Sequence, residues 1–257
     1  MNPLTDLSLS SSTRIILYAD DILVYKPMKG HLDGVALQND INIIVNWINS
    51  TGLKLNPTKT RLMVLSRKPH PAQPDIVVAS SPVMQVTSLK YLGVTVSSNL
   101  SWTTHIDNTC ARARKQLGLL YRHFHPAGRE ALSRLYTSTV LPLLDYCACV
   151  WDPYQATFSN KLETIQKFAA KLATGLWASG QDAINQLNWP PLAMRRKKQI
   201  LKLLLCRHIL LGGSIIPASP HPTLLPDFIT VWHYRARGRR PQPISIPISQ
   251  VLSNYME

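Results

Sequence analysis

Two short apolar runs, Ile15-Ile16-Leu17 and Ile22-Leu23-Val24-Tyr25, flank the tetrapeptide Tyr18-Ala19-Asp20-Asp21. Runs of this length, separated by a few residues that suit a bend, predict strand, tight turn and strand over residues 13–26, with Ala19, Asp20 and Asp21 at the bend. Leu37, Ile41, Ile44, Val45 and Ile48 then recur at helical spacing and predict a helix over residues 31–50, ending near Gly52. Short strands are predicted near 60–66, 76–78, 83–87 and 91–96, separated by Pro69, Pro71, Pro74 and Pro82. The first hundred residues therefore read as mixed helix and strand.

After Trp102 the period changes. Ile106, Cys110, Ala113, Leu117, Leu120, Tyr121 and Phe124 form an apolar stripe on one long helix. Further helices are predicted near 128–141, 158–175, 180–187 and 191–211, so this half reads as an all-helical bundle, with the boundary near Asn99-Leu100. Residues 212–257 hold many prolines and little periodicity and predict a poorly ordered tail. The expected fold class is α+β, in three parts: 1–100, 101–211 and 212–257. No internal repeat is present.

Composition narrows the partners. Lys and Arg number 28 against 14 acidic residues, a formal charge of +14 that favours a polyanion, nucleic acid foremost. Hydrophobic residues make up 45% of the 257, enough for a real core. Cys110, Cys147, Cys149 and Cys206 fit neither a disulfide framework nor a zinc pattern. Reduced, buried thiols in an intracellular protein are the simpler reading, nuclear or cytoplasmic alike. No signal peptide is visible, and no apolar run reaches the ~18 residues a membrane span needs, so no membrane partner is expected.

The chemistry lies in the tetrapeptide. A tight turn can hold two adjacent carboxylates at an exposed edge, where regular strand alternation would send them to opposite faces. Magnesium prefers oxygen ligands, and rigid carboxylates beside a substrate phosphate are how phosphoryl-transfer enzymes hold it. The plainer alternative is a turn that uses aspartate because aspartate suits turns.

Tyr18-Ala19-Asp20-Asp21 resembles the catalytic motif of reverse transcriptases, and later segments resemble the same family in the same order. Gly52-Leu53-Lys54-Leu55-Asn56-Pro57-Thr58-Lys59-Thr60 looks like the next polymerase motif, and Leu89-Lys90-Tyr91-Leu92-Gly93-Val94 like the strand that grips the primer. Leu141-Pro142 with Tyr146 and Trp151, Leu162-Glu163 with Gln166, and Leu187-Asn188-Trp189 with Arg195-Arg196 resemble the region after the palm in jockey-like non-LTR retrotransposon polymerases. Each later motif is weak alone; order and spacing give the set its weight. The resemblance covers residues 1 to about 211.

It implies part of a palm in residues 1–100, with the hairpin and the primer-grip strand, followed by a helical, thumb-like region. It implies an RNA-directed DNA polymerase working by two-metal nucleotidyl transfer, with Mg2+ as cofactor in the complete enzyme and an RNA template, a DNA primer and deoxynucleotides as partners. Asp20 matches the main metal ligand and Asp21 its less essential neighbour. Tyr18 would lie near the primer end or nucleotide, or else pack as a strand aromatic against the neighbouring helix. Lys59 matches a general acid for the leaving pyrophosphate, with Lys54 as the alternative and a solvated loop lysine as the bland reading of both. Leu92 and Gly93 would let backbone approach the primer closely, although Gly93 also suits a simple strand kink.

Arg112, Arg114, Lys115 and Arg122 on the long helix, and Arg195, Arg196, Lys197 and Lys198 at the start of the last one, could track a nucleic-acid backbone. A solvated helix face is the competing reading for each group. Arg235, Arg237, Arg239 and Arg240 could do the same, or act as a nuclear import signal.

The family's third metal-binding aspartate lies on an earlier strand, and Asp6 is the only acid before Tyr18. Met1-Asn2-Pro3-Leu4-Thr5-Asp6-Leu7 resembles the end of the helix before the hairpin, so Asp6 is not expected to be a ligand. The expectation is a truncated chain that begins at an internal methionine of a longer polymerase, without fingers, endonuclease or zinc knuckle, and inactive by itself. The alternatives are a basic nucleic-acid-binding protein without chemistry, or a non-functional retroelement relic.

Overall fold

The computed structural model describes residues 4, 7–68, 71 and 73–210. The predicted tail, its four arginines and Asp6 lie outside the described residues. The described chain divides between Ser101 and Trp102 into two compact units.

In the first unit, β1 (Arg14–Tyr18) and β2 (Asp21–Tyr25) pair antiparallel, with Tyr18 opposite Asp21 and Arg14 opposite Tyr25. The turn is therefore only Ala19-Asp20, and Asp21 is the first residue of β2, where the sequence suggested that all three sit at the bend. α1 (His31–Ser50) follows, begun by Asp33, whose carboxylate accepts from the Lys29 and Gly30 backbone N–H groups at 2.7 and 3.0 Å. Those two donors hold the Asp33 carboxyl below its ordinary range.

Four two-residue to five-residue ladders make up the sheet content: β1–β2, β3 (Arg61–Leu62) parallel to β6 (Met84–Gln85), β4 (Val77–Val78) with β5 (Ser81–Pro82), and β7 (Ser88–Tyr91) with β8 (Val94–Ser97). The stretch predicted as one strand over 91–96 is a hairpin instead. Its two turn residues, Leu92 and Gly93, both have positive φ, 44° and 86°, as the favoured two-residue hairpin turn demands. Period-2 alternation divides β2 between two cores. Val24 packs with Leu37, Ile41, Ile44 and Ile48 of α1, while Leu23 packs with Met63, Leu65 and the β7–β8 pair. Each fully buried aliphatic contributes about 1.5–3 kcal/mol, so the hairpin is held from both faces through its second strand. β1 is different: Ile16, Leu17 and Tyr18 are exposed.

The second unit is helical. α2 (Thr103–Phe124) buries Ile106, Cys110, Ala113, Leu117 and Leu120 of the predicted stripe, while Tyr121 and Phe124 at its end are exposed. α3 (Arg129–Leu135) runs through a π-helical turn at Tyr136–Val140 into α4 (Leu141–Asp145), where one uninterrupted helix was predicted. A short α5 (Ala148–Trp151), not foreseen, starts after a left-handed Cys147 and carries the wholly buried Trp151. α6 (Ala156–Thr174), α7 (Gly180–Gln186) and α8 (Leu192–Leu210) complete it. Glu163 of α6 accepts from the Leu192 and Ala193 backbone N–H groups, which anchors the start of α8. No helix among the described residues is long and apolar enough to cross a membrane.

Candidate active-site hairpin

Asp20 occupies the second position of the two-residue turn and is exposed; Asp21, at the first position of β2, is partly covered. Their adjacency puts two carboxylates at one end of the hairpin. Ala19, at the first turn position, has φ 53°, a left-handed conformation that carries a cost of roughly 1–2 kcal/mol for a residue with a Cβ. Ala19→Gly should therefore raise the stability of the first unit by up to about 1 kcal/mol in chemical denaturation, and Ala19→Val should lower it. An unchanged midpoint in both variants would show that the turn is relaxed.

Tyr18 is 61% exposed, so its ring does not pack on α1. It stands at the same end of the hairpin as the two carboxylates, because it is paired with Asp21 across the turn.

The β7–β8 turn is tied electrostatically to this end. Tyr91, the last residue of β7, has its phenol pushed above its ordinary pKa by burial first and by the negative charge of Asp21 second. Among the described residues its hydroxyl has no hydrogen-bond partner. Tyr91 immediately precedes Leu92-Gly93, and it packs into the same core as Leu23 of β2, so the two sequence motifs share one core. The sequence reading named Leu92 and Gly93 and passed over Tyr91; its place beside a positive-φ turn was the available signal.

A second group missed from the sequence braces the hairpin's open end. Lys26, directly after β2, is buried and donates to Ser10 Oγ, Ser12 Oγ and Thr13 Oγ1 at 2.5, 2.9 and 3.2 Å. Asp40 of α1, equally buried, accepts from the Ser10 backbone N–H at 2.9 Å, from the Ser10 hydroxyl, and from Thr13 Oγ1 at 2.5 Å. Lys26 Nζ lies 3.8 Å from Asp40 Oδ2. The cluster joins the segment before β1, the end of β2 and α1.

Lys59 and Lys54 are both exposed. Lys59 sits in a stiff loop in which Asn56 Oδ1 accepts from the Thr58 N–H and hydroxyl at 3.1 and 2.6 Å, and the buried Thr60 donates back to the Asn56 carbonyl.

The basic residues separate sharply. Arg112, Arg114 and Lys115 are exposed, but at 3.6 residues per turn Arg112 and Lys115 share one side of α2 and Arg114 lies on another. Lys197 and Lys198 are exposed. Arg195 and Arg196 need correcting as candidate backbone contacts. Arg196 is 1% exposed, with Nε 2.5 Å from Asp152 and Nη2 2.9 Å from Ser159 Oγ. Arg195 donates from Nε to Asp145 at 2.8 Å, and that carboxylate raises its already high pKa. The buried Arg196 and the partly exposed Arg195 are each committed to a carboxylate of another helix or loop, which ties elements of the helical unit together.

Among the described residues no three His, Cys, Asp or Glu side chains gather into a metal-sized group. The donor set still suits magnesium in kind, being two carboxylates at an accessible turn.

The hairpin with adjacent aspartates at its turn packs, through Leu23 of β2, into one core with the β7–β8 hairpin. Residues 1–96 match the family model described as reverse transcriptase (RNA-dependent DNA polymerase). The chain is thus similar to reverse transcriptases, and the relatives it matches support its resemblance to those of jockey-like, non-LTR retrotransposons. In Drosophila melanogaster it is 25% identical over 217 residues to the probable RNA-directed DNA polymerase from transposon BS, covering 79% of this chain and 24% of that protein. It is 23% identical over 177 residues to the probable RNA-directed DNA polymerase from transposon X-element, covering 67% and 19%. The RNA-directed DNA polymerase from mobile element jockey is 22% identical over the same length, with the same coverage. The chain thus spans about a fifth to a quarter of the length of these relatives. No solved structure matches.

Proposed function

We propose that residues 1–100 are the catalytic-hairpin side of a polymerase palm, that the helical unit after them is thumb-like, and that the complete enzyme copies RNA into DNA. The observation that carries this reading is the two-residue turn that sets Asp20 and Asp21 side by side while Tyr91 of the β7–β8 hairpin stands within reach of Asp21's charge. In the complete enzyme Asp20 and Asp21 would be two of the ligands that hold Mg2+, which would supply charge stabilisation of the transferring phosphate. Tyr18 borders the primer end, the Leu92-Gly93 turn supports the primer, and Lys59 donates a proton to pyrophosphate. The template is RNA, the primer DNA and the substrates deoxynucleotides.

The test is a chimera. Residues 1–100 replace the matching segment of a complete jockey-like polymerase, and template-dependent synthesis is measured with Mg2+. Synthesis that Asp20→Ala abolishes supports the assignment; synthesis indifferent to Asp20→Ala overturns it.

A second reading, binding of nucleic acid without chemistry, is favoured by the exposed cations Arg112, Arg114, Lys115, Lys197 and Lys198. Affinity of the 257-residue chain for single strands should fall with a log–log salt slope of roughly −3.5 if about five phosphates are neutralised. Lys197→Gln with Lys198→Gln should flatten that slope, whereas neutralising Arg195 and Arg196 should unfold the helical unit instead. Tight binding that survives high salt, or a strong sequence preference, would contradict this picture.

A further inference from the structure

The junction of α6 and α7 carries two large aromatic rings where solvent would be expected to find polar groups. Phe168 is 45% exposed and Trp177 55% exposed. Their ring centroids stand 6.4 Å apart at 62°, an edge-to-face pair with neither ring inside a core. Each leaves a broad apolar surface in water, and such surfaces with polar rims mark interaction sites.

The rim here has one sign. Lys167 and Lys171 flank Phe168 on α6, and residues 164–181 contain no Asp or Glu. Both lysine stems pack on the start of α7: a Cβ placed on Gly180 would lie 2.9 Å from Lys167 Cβ and 3.3 Å from Lys171 Cε. Arg129, the first residue of α3, lays its guanidinium over Gly175, whose Cβ would meet Nη2 and Cζ at 2.5 and 2.6 Å. None of these three cations is in an ion pair with a carboxylate among the described residues. The nearest acid in sequence after the junction is Asp182, in the first turn of α7.

The segment that holds Trp177 is fixed at both ends. Gly175, at φ 75°, ends α6 with its N–H on the Lys171 carbonyl at 2.8 Å, and the Leu176 N–H donates to Thr174 Oγ1 at 3.1 Å. Two residues on, Ser179 caps α7 by accepting from the Asp182 N–H. An exposed indole on a short, pinned loop loses little freedom when a planar partner stacks on it.

We propose that this junction is a stacking platform for single-stranded nucleic acid, with bases stacking on Trp177 and Phe168 and phosphates lying against Lys167, Lys171 and Arg129. Aromatic faces interleaved with cations are what a flexible polyanion with planar bases requires. An acidic or apolar protein surface would use the charge or the rings, but not both in alternation. The platform belongs to the helical unit and does not depend on chemistry at the hairpin, so it can stand or fall apart from the polymerase reading.

The test titrates the whole 257-residue chain into fluorescein-labelled oligo(dT) and oligo(U), with thermal melts to check folding. Trp177→Ala and Phe168→Ala should each weaken binding about tenfold, the scale of one lost base stack. Trp177→Phe should keep most of the affinity but remove the part of tryptophan quenching that the oligonucleotide causes at this site. This variant settles the matter even if an alanine variant melts early. Lys167→Gln with Lys171→Gln should make the salt slope shallower by about 1.4, two phosphates' worth on a single strand; the lysines are preferred to Arg129, which also faces the C-terminal end of α6. Folded alanine variants that bind within about twofold of the parent chain would overturn the proposal. So would quenching unchanged by Trp177→Phe, or a polyglutamate peptide that binds as tightly as oligo(dT) and depends equally on Trp177. Primer extension by the chimera described above is unaffected by these outcomes, so failure of one reading is not mistaken for failure of the other.

Discussion

The 257-residue polypeptide, expressed by itself, should incorporate no nucleotide into a primed RNA template at any Mg2+ concentration. Two ions about 3.5–4 Å apart each need several oxygen ligands, and adjacent carboxylates at one turn cannot surround both. The described residues bring no third carboxylate to Asp20 and Asp21. Joining it in cis to the aspartate-bearing upstream part of a complete jockey-like polymerase should give synthesis. In that restored enzyme Asp20→Ala should reduce the rate about a thousandfold or more, since it removes a ligand whose charge stabilisation amounts to several kcal/mol. Asp21→Ala should cost less, because Asp21 sits at the start of β2 rather than at the tip of the turn. Single-turnover incorporation with a labelled primer measures all of this. Incorporation by the polypeptide alone that disappears in Asp20→Ala would show that two carboxylates suffice.

Lys26→Met should destabilise the first unit by about 3–5 kcal/mol, because it leaves Asp40 buried without its cation. The Ser10 and Thr13 hydrogen bonds to Asp40 remain, yet three of the hydroxyl contacts in the cluster lose their donor from Lys26. The double variant Lys26→Met, Asp40→Leu removes both charges and should recover most of that loss, as apolar replacements of buried pairs do. Urea titrations of the single and double variants give the coupling directly. A single variant as stable as the parent would mean that the cluster is wet and that Lys26 does not brace the hairpin. In the restored polymerase, the loosened hairpin of Lys26→Met should also lower the incorporation rate while Asp20 and Asp21 are untouched, since a displacement on the order of 1 Å at a reacting centre costs about a hundredfold.

Much of the local structure was legible because it follows from short-range pattern. The two apolar runs either side of Tyr18-Ala19-Asp20-Asp21 specified a hairpin, and the helical spacing of Leu37, Ile41, Ile44 and Ile48 specified α1 with its observed ends. Where several outcomes share one pattern, the boundaries moved. Residues 91–96 look like a single strand, but Gly93 lets the chain reverse and makes Leu92 follow into positive φ. The π-helical turn at Tyr136–Val140 and the left-handed Cys147 are likewise set by packing around Tyr136 and Trp151, which no periodicity announces.

By itself the sequence determined the family resemblance, the adjacency of Asp20 and Asp21, and the surplus of positive charge. Tertiary structure decided what each of those charges is for. Arg195 and Arg196 stand in one basic run with Lys197 and Lys198, yet packing buries Arg196 against Asp152, pairs the partly exposed Arg195 with Asp145, and leaves the lysines in water. Lys26 and Asp40 are fourteen residues apart and become a buried pair; Leu23 and Tyr91 come from different motifs and share one core. Charge is a property of the residue, whereas its partner and its access to solvent depend on which distant segments the core draws together. That is why the charged residues could be named from the sequence, while their partners and exposure emerged only from the fold.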